Sequence, residues 1–117
     1  MKDHKELDVW KESIELVAEI YSLTGCFPKE EIYGLTNQMR RSAVSIPSNI
    51  AEGAARQTEK EFVHFLHIAS GSAAELETQL LISKKLNFVQ ELDSLFKRIV
   101  VIQKMLGGLI RHYRNKA

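Results

Sequence analysis

The chain has few of the residues that mark disulfide-rich, secreted or membrane proteins. Its 117 residues include one cysteine and two prolines, and no apolar run is long enough to span a bilayer. Cys26 cannot form an internal disulfide bond, and a lone cysteine is typical of a reducing compartment. The first residues, MKDHKELD, carry charges and lack the apolar stretch of a signal peptide. We therefore expect a cytoplasmic protein with no membrane segment.

The sequence also lacks the motifs of the common enzyme classes. No glycine-rich phosphate loop is present, since Gly107 and Gly108 lie inside an apolar segment. Cys26 has no histidine close to it in the sequence that would activate it as a nucleophile. Metal sites in four-helix bundles need two Glu-x-x-His pairs, and here Glu61 and His64 form a single pair. Further candidate ligands are Glu15, Glu19 and Glu52. We expect no catalytic residue, metal or cofactor, and a metalloenzyme is the third hypothesis.

Charge is distributed unevenly along the chain, although the net charge is only +1. Residues 1–36 hold four lysines and eight acidic residues, whereas residues 84–117 hold eight Lys or Arg and two acidic residues. The segment between them, residues 37–83, is nearly balanced, with four basic and five acidic residues. The basic segment indicates either binding to phosphate groups or charge complementarity with the acidic segment, within one chain or between subunits. Both interpretations stay open.

The spacing of apolar residues predicts four helices, no strand and a single domain over residues 1–117. The first helix is expected to begin after Asp8 as its N-cap and to end near Gly25 and Pro28. Its buried face is predicted to consist of Trp10, Ile14, Val17, Tyr21 and Thr24, broadened by Leu16, Ile20 and Leu23.

Residues 33–56 are the stretch around which the rest of the chain is organised. They predict a second helix that contains Pro47, where a backbone donor is missing and a kink is expected, and that stops at Gly53. The apolar face is Leu35, Met39, Ala43, Ile46 and Ile50. A polar stripe beside it is Gln38, Ser42, Ser45, Asn49 and Glu52. The polar stripe is either a satisfied seam, bonded to freed carbonyls or to a neighbouring helix, or a binding surface.

The third and fourth helices have heptad-like apolar stripes. A capping box of Thr58 and Glu61 starts the third helix, and the chain turns at residues 86–90 before the fourth. The stripe of the third helix is Phe62, Leu66, Ala69, Ala73, Leu76 and Leu80. That of the fourth helix is Leu92, Leu95, Ile99, Ile102, Leu106, Leu109 and Tyr113. Small residues over 69–74 predict close packing of a neighbouring helix.

Both helices carry more apolar residues than these stripes hold. On the third helix the surplus is Phe65, Ile68 and Ile82, and on the fourth it is Phe96, Val100, Val101, Met105 and Ile110. A four-helix domain has no deep interior in which to hide a second apolar face. The surplus therefore predicts a homo-oligomer, whose subunits cover one another.

The sequence QMRRSAVSIPSNIAEG, residues 38–53, resembles the signature of a bacterial family of small helical proteins. The family is named for genes found in intervening sequences of 23S ribosomal RNA genes. Further similarity lies in residues 7–10, 28–35 and 68–80, and one departure is Ala54 and Ala55, where relatives often carry an aromatic residue and a glycine. The positions of this chain that match the family's motif are Gln38, Arg41, Ser45, Pro47, Asn49, Glu52 and Gly53.

The resemblance implies an all-α fold, an antiparallel up-and-down four-helix bundle. It also implies a ring-shaped homopentamer, which some members form, and a similarity to accessory proteins that work with reverse transcriptases in diversity-generating retroelements. It implies no settled biochemical activity. Function must therefore be argued from the residues.

The basic residues are the remaining feature of the sequence from which a function can be inferred. We predict a non-enzymatic oligomer that binds RNA or other nucleic acid, as an accessory to an RNA-handling enzyme. The candidate contacts are Arg40, Arg41, Lys84, Lys85, Lys97, Arg98, Lys104, Arg111, Arg114 and Lys116. The second hypothesis, from another class, is a protein–protein interaction scaffold with no role in nucleic-acid binding.

Overall fold

Four α-helices make up most of the chain in the computed structural model, which describes residues 3–116. They are α1 (Asp8–Thr24), α2 (Leu35–Ala54), α3 (Glu59–Lys85) and α4 (Asp93–Arg114). Single 3₁₀ turns, His4–Glu6 and Lys29–Glu31, precede α1 and α2. No strand occurs in the described range, so the prediction of an all-α fold is confirmed. Met1, Lys2 and Ala117 of the predicted domain lie outside the described residues.

The helices form an up-and-down bundle. Each packs against its neighbour in sequence and α4 also packs against α1, whereas the diagonal pairs do not approach one another within the described residues. Connections of four to ten residues leave consecutive helices antiparallel. An aromatic pair lies at each end of the bundle: Phe27 with Phe88, and Phe62 with Tyr113. The predicted four-helix bundle is therefore confirmed.

The core is built from the predicted faces of α2, α3 and α4. Every residue of the two apolar stripes predicted for α2 and α3 is buried. On α4, Leu109 and Tyr113 are half-buried against the core, and the other members of the stripe are buried. Ile110 was predicted to be left over, and this was wrong, because it is only 6% exposed at the end of the α4 stripe.

The buried face of α1 differs from the prediction by about one residue. Its buried residues are Val9, Ser13, Leu16, Ile20 and Thr24. Ile14 and Tyr21, expected inside, are 39% and 45% exposed. A serine fits the core side because the Ser13 hydroxyl donates to the Trp10 carbonyl oxygen at 2.8 Å, which satisfies its hydrogen-bonding need.

The two predicted helix starts have different outcomes. Asp8 is the first residue of α1 and Leu7 is the N-cap, so the prediction of Asp8 as the cap was wrong by one residue. Thr58 caps α3 as predicted, since its Oγ1 accepts from the Glu61 N–H at 3.1 Å. The Glu61 carboxylate, however, accepts from the Thr58 hydroxyl at 2.9 Å rather than from a backbone N–H.

The turn between α3 and α4 lies where it was predicted. Asn87 has a φ of 63°, a left-handed conformation that asparagine tolerates better than most residues. The N–H of Phe88 donates to the Ser83 carbonyl oxygen at 3.0 Å, which closes the end of α3. Phe88 then packs on Phe27, with ring centroids 5.4 Å apart, and so joins this turn to the end of α1.

Helix α2 continues through Pro47, which is buried, and through Gly53. Gly53 was predicted to stop the helix, and this was wrong. A Cβ placed there would lie 2.7 Å from Phe65 Cβ and 3.0 Å from Phe62 Cδ1. The absence of a side chain therefore lets α2 and α3 approach closely at this point. A kink at Pro47 stays a prediction.

None of the helices in residues 3–116 combines the length and the apolar character needed to cross a bilayer.

Candidate nucleic-acid interface

Most of the exposed basic residues of segment 84–116 lie in two groups, one at each end of the bundle. Lys84, Lys85 and Lys97 lie near the α3–α4 turn, and all three are exposed. Arg111 and Arg114 are exposed in the last turn of α4, with Lys116 just beyond it. The 14 residues from 97 to 111 correspond to about 21 Å along a helix. Lys104 is exposed between the groups, so the seven form a long strip rather than one patch.

Arg98 is held by the acidic helix α1. Its Nη1 donates to Glu12 Oε2 at 2.6 Å, and its Nε lies 2.5 Å from Glu19 Oε1. All three side chains are partly buried between α1 and α4. This cation therefore fits the interpretation of charge complementarity within the chain better than a contact with phosphate.

Arg40 is likewise bound to α1. Its Nε donates to Thr24 Oγ1 at 2.9 Å, and its guanidinium carbon lies 4.6 Å from the centre of the Tyr21 ring. Thr24 in turn donates to the Ile20 carbonyl oxygen at 2.7 Å. Arg40 thus joins α2 to the end of α1 through a hydrogen bond and a cation–π contact.

Arg41 differs from its neighbour, since it is exposed and lies at a groove between α2 and α3. This feature, called the α2–α3 groove below, encloses about 350 Å³. Its lining residues are Gln38, Arg41, Ser42, Ser45, Ser72, Glu75 and Gln79. The groove therefore joins the predicted polar stripe of α2 to polar residues of α3.

One hydrogen bond joins the two walls of the groove, and two more lie within the α2 wall. The hydroxyls of Ser45 and Ser72 are 2.8 Å apart. The Asn49 amide donates to the Ser45 carbonyl oxygen at 2.8 Å and to its hydroxyl at 2.9 Å. The polar stripe is therefore bonded to the neighbouring helix, as expected of a structural seam. The Asn49 amide bonds to the carbonyl of Ser45 rather than to that of Ala43, which is the carbonyl that Pro47 leaves without its helical donor.

One polar atom in the groove is left without a partner. Gln79 is only 9% exposed, and its Oε1 accepts no hydrogen bond from the described residues. An unsatisfied buried carbonyl is costly, by roughly 1–3 kcal/mol, and so is uncommon in folded proteins. Because of this atom, the groove differs from a structural seam in which every buried polar group has a hydrogen-bond partner within the chain.

The residues of the family-like motif divide between the groove and the packing around it. Gln38, Arg41 and Ser45 line the groove, and Asn49 holds Ser45. Pro47 and Gly53 are buried in helix packing. Glu52 is exposed and pairs with Arg56 at 3.2 Å, one turn further along the chain.

The groove residues of α3 were missed by the sequence argument. Ser72, Glu75 and Gln79 lie on a helix whose small residues predicted close packing but gave no register. A polar glutamine between Leu76 and Leu80 was the available signal, because a buried polar residue usually has a partner or a role.

Three of the five candidate metal ligands are engaged elsewhere. Glu19 pairs with Arg98, Glu52 with Arg56, and Glu61 with Thr58. Within residues 3–116 no three His, Cys, Asp or Glu side chains lie close enough together to hold a metal ion. Cys26 is exposed.

Apolar side chains remain exposed where α1 meets α4. A mainly apolar depression of about 430 Å³ lies there, and its lining includes Leu7, Val9, Met105, Gly108 and Leu109. This depression and the exposed Val101, one helical turn before Met105, are called the α1–α4 face below. Tyr21 instead lies against Arg40 of α2. On α3, Ile68 and Ile82 are exposed as well. Of the eight surplus residues predicted on α3 and α4, four are exposed and four are not: Ile68, Ile82, Val100 and Val101 are exposed, Phe65, Phe96 and Met105 are half-buried, and Ile110 is buried.

The sequence profile of a family described as 23S rRNA-intervening sequence protein matches residues 5–108. That range covers all four helices except the last turns of α4. No curated protein matches the chain.

Proposed function

The chain belongs to the 23S rRNA-intervening sequence protein family, and on that premise we propose that it is a non-enzymatic, oligomeric four-helix bundle that binds RNA or other nucleic acid. It works in the bacterial cytoplasm as an accessory to an RNA-handling enzyme. Its contacts are to the phosphate backbone and require no reading of the base sequence along most of the surface.

The observation that carries this proposal is the free positive charge of residues 84–116. Seven of its eight basic residues are exposed and form no ion pair within the described residues, the exception being Arg98. Cations that are neutralised inside the chain cannot release counterions from a nucleic acid, whereas these seven can.

Assembly strengthens the argument. The α1–α4 face leaves apolar side chains for another copy to cover, and the family resemblance implies a ring of five. Heterologous contacts between identical subunits close into rings when the rotation allows it. Five copies of a segment with a net charge of +6 surround the ring with a positive field that attracts phosphate over several ångströms.

Filter binding to a hairpin RNA and to a single-stranded RNA, at two salt concentrations, tests the proposal. We expect binding at low salt that weakens steeply as salt rises. The triple variant Lys84→Gln, Lys97→Gln and Arg111→Gln should bind less tightly and with a shallower salt dependence.

The matched control removes the same charge elsewhere, in the triple variant Lys11→Gln, Lys29→Gln and Lys60→Gln, whose target residues are all exposed. It should keep most of the affinity. Absence of binding at low salt, or affinity that does not depend on salt, would exclude the proposed function.

A second candidate is a protein–protein interaction scaffold, which the exposed α1–α4 face favours. On this alternative the face binds a different protein, and the basic strip binds an acidic partner. A complex recovered from cells that survives nuclease treatment, together with no RNA binding by the pure protein, would favour the scaffold.

A further inference from the structure

We propose that a depression formed by α2 and Tyr21 of α1 binds the terminal phosphate of an RNA strand. The inference rests on the proposed function for its choice of RNA as the partner, and it adds a site that distinguishes the end of a strand from its interior. This feature, called the Arg40–Arg41 depression below, encloses about 460 Å³. Its lining residues are Tyr21, Asn37, Arg40, Arg41, Val44 and Ser45.

The guanidinium of Arg40 is held in one orientation by α1. Its Nε donates to Thr24 Oγ1 at 2.9 Å, and its carbon lies 4.6 Å from the centre of the Tyr21 ring. The hydroxyl proton of Thr24 is committed to the Ile20 carbonyl oxygen at 2.7 Å, so Thr24 serves as the acceptor for Arg40. A side chain held in this way loses less conformational entropy on binding a ligand than a free arginine does.

The terminal nitrogens of this guanidinium remain available to a ligand. Arg40 is half-buried and forms no ion pair, and no described residue accepts a hydrogen bond from its Nη1 or Nη2. A guanidinium donates two parallel hydrogen bonds to an oxyanion from such a fork. Arg98 differs in this respect, because its Nε and Nη1 are both occupied by carboxylates of α1.

Arg41 adds a second positive charge to the same depression. It is exposed and forms no ion pair within residues 3–116. Neither Asp nor Glu is among the residues that line the depression, although Arg41 also borders the α2–α3 groove, which Glu75 lines. An internal RNA phosphate carries a single negative charge, whereas a phosphate monoester carries about −1.5 to −2 at pH 7 and presents three acceptor oxygens. The two arginines therefore match a terminal phosphate better than an internal one.

The rest of the depression suits the nucleotide that carries this phosphate. Tyr21 and Val44 are 45% and 39% exposed, and they give the depression an apolar wall against which a base or ribose can pack. Asn37 is exposed, and its amide forms no hydrogen bond with the described residues, so it is available to bond the nucleotide. The volume of about 460 Å³ falls within the range of small-ligand sites, roughly 300–1,000 Å³.

The experiment compares three RNA strands by fluorescence anisotropy with the full-length protein, at low salt and pH 8. Two are nine-nucleotide strands of one sequence, with a phosphate at the 5′ end or at the 3′ end. The third extends that sequence to eleven nucleotides with hydroxyl ends, which gives it the same total charge. We expect at least one phosphorylated strand to bind about tenfold tighter than the third, as hydrogen bonds to a charged group provide. Comparison of the first two strands identifies the end that the site binds.

Three variants test the location of the site. Arg41→Gln should abolish the preference for a phosphorylated strand. Arg40→Lys keeps the charge but lacks the planar fork, and should reduce the preference roughly threefold. If Arg40→Lys does not fold, Arg41→Gln decides the location, because Arg41 is exposed and bonds to no other described residue. Lys97→Gln, on the basic strip outside the depression, is the matched control and should weaken binding of all three strands by a similar factor.

Equal binding of the three strands would overturn the inference and leave the proposed function standing. Binding of a phosphorylated strand alone would support the inference and contradict binding of RNA along the basic strip. If no strand binds at low salt, the inference and the proposed function both fail. A preference for a phosphorylated strand that survives both Arg41→Gln and Arg40→Lys would also overturn the inference, because the phosphate would then be bound elsewhere.

Discussion

The α2–α3 interface and the α1–α4 interface are built in different ways, although both join antiparallel helices of similar length. Between α2 and α3 the backbones approach closely at Gly53, and the serine pair bonds across the seam. Between α1 and α4 the link is the ion pair of Arg98 with Glu12 and Glu19, beside apolar side chains that stay exposed. The first interface leaves a polar groove with one unpartnered oxygen, and the second leaves apolar surface for something else to cover.

The difference follows from side-chain size and polarity. Small residues on α2 and α3 let a close seam form, in which hydrogen bonds satisfy most of the buried polar groups. Longer apolar residues on α1 and α4 extend beyond the contact between these two helices. Stability should therefore depend mainly on the α2–α3 interface, and assembly mainly on the α1–α4 face.

The largest expected effect is on assembly. Val101→Glu places a charge on the α1–α4 face, and burying an unpaired charge in an interface costs about 3–5 kcal/mol. We expect light scattering to report an oligomer for the parent chain and a monomer for the variant, both at micromolar concentration and with unchanged helical circular dichroism. Thr78→Glu, at an exposed position on α3, is the control and should stay oligomeric. A parent chain that is monomeric at this concentration would contradict the role of the α1–α4 face in assembly.

The next effect is on stability at the close approach of α2 and α3. Gly53→Ala forces a Cβ into Phe62 and Phe65, and overpacking of this kind costs about 1–3 kcal/mol. Gly71→Ala is the matched change, because a Cβ there meets nothing within 4 Å. It should stabilise the chain by roughly 0.5–1 kcal/mol through helix propensity. Urea unfolding at one protein concentration measures both, and shifts of the same sign would contradict the packing role of Gly53.

The smallest effect separates two adjacent cations. Arg98→Ala should destabilise the chain by about 1 kcal/mol, since the ion pairs are partly exposed and screened by solvent. High salt should reduce this loss. Lys97→Ala should change stability by less than about 0.5 kcal/mol while lowering RNA affinity. Thermal unfolding measures the loss of stability, and filter binding measures the loss of RNA affinity. Equal effects of the two variants on both measurements would contradict a structural role for Arg98 and an RNA-binding role for Lys97.

Much of the fold could be predicted because helix formation is local. The stripes of α2, α3 and α4 repeat at the period of a helix, and burying them requires a bundle. The start of α3 at Thr58 follows from chemistry within four residues. The same information failed for α1, where two adjacent apolar stripes are present and local geometry does not choose between them.

The candidate site was only half predictable. The α2 side of the groove, with Gln38, Arg41 and Ser45, is present in the family-like motif. Glu75 and Gln79 were missed because a polar residue on a helix gives no sign of what faces it. Arg40 and Arg98 were predicted to contact nucleic acid, and both are in fact bonded to α1. Sequence patterns did not reveal these bonds because the partners are 16 and 86 residues away in sequence.

The sequence by itself determined the number of helices, their order and most of their buried faces, because each depends on residues within a few turns of one another. Only the tertiary structure decided the face of α1, the packing role of Gly53 and the partners of Arg40 and Arg98. It alone brought Gln79 opposite Gln38. These features depend on the register between helices, which is set by how side chains of distant segments fit together and which no local pattern encodes.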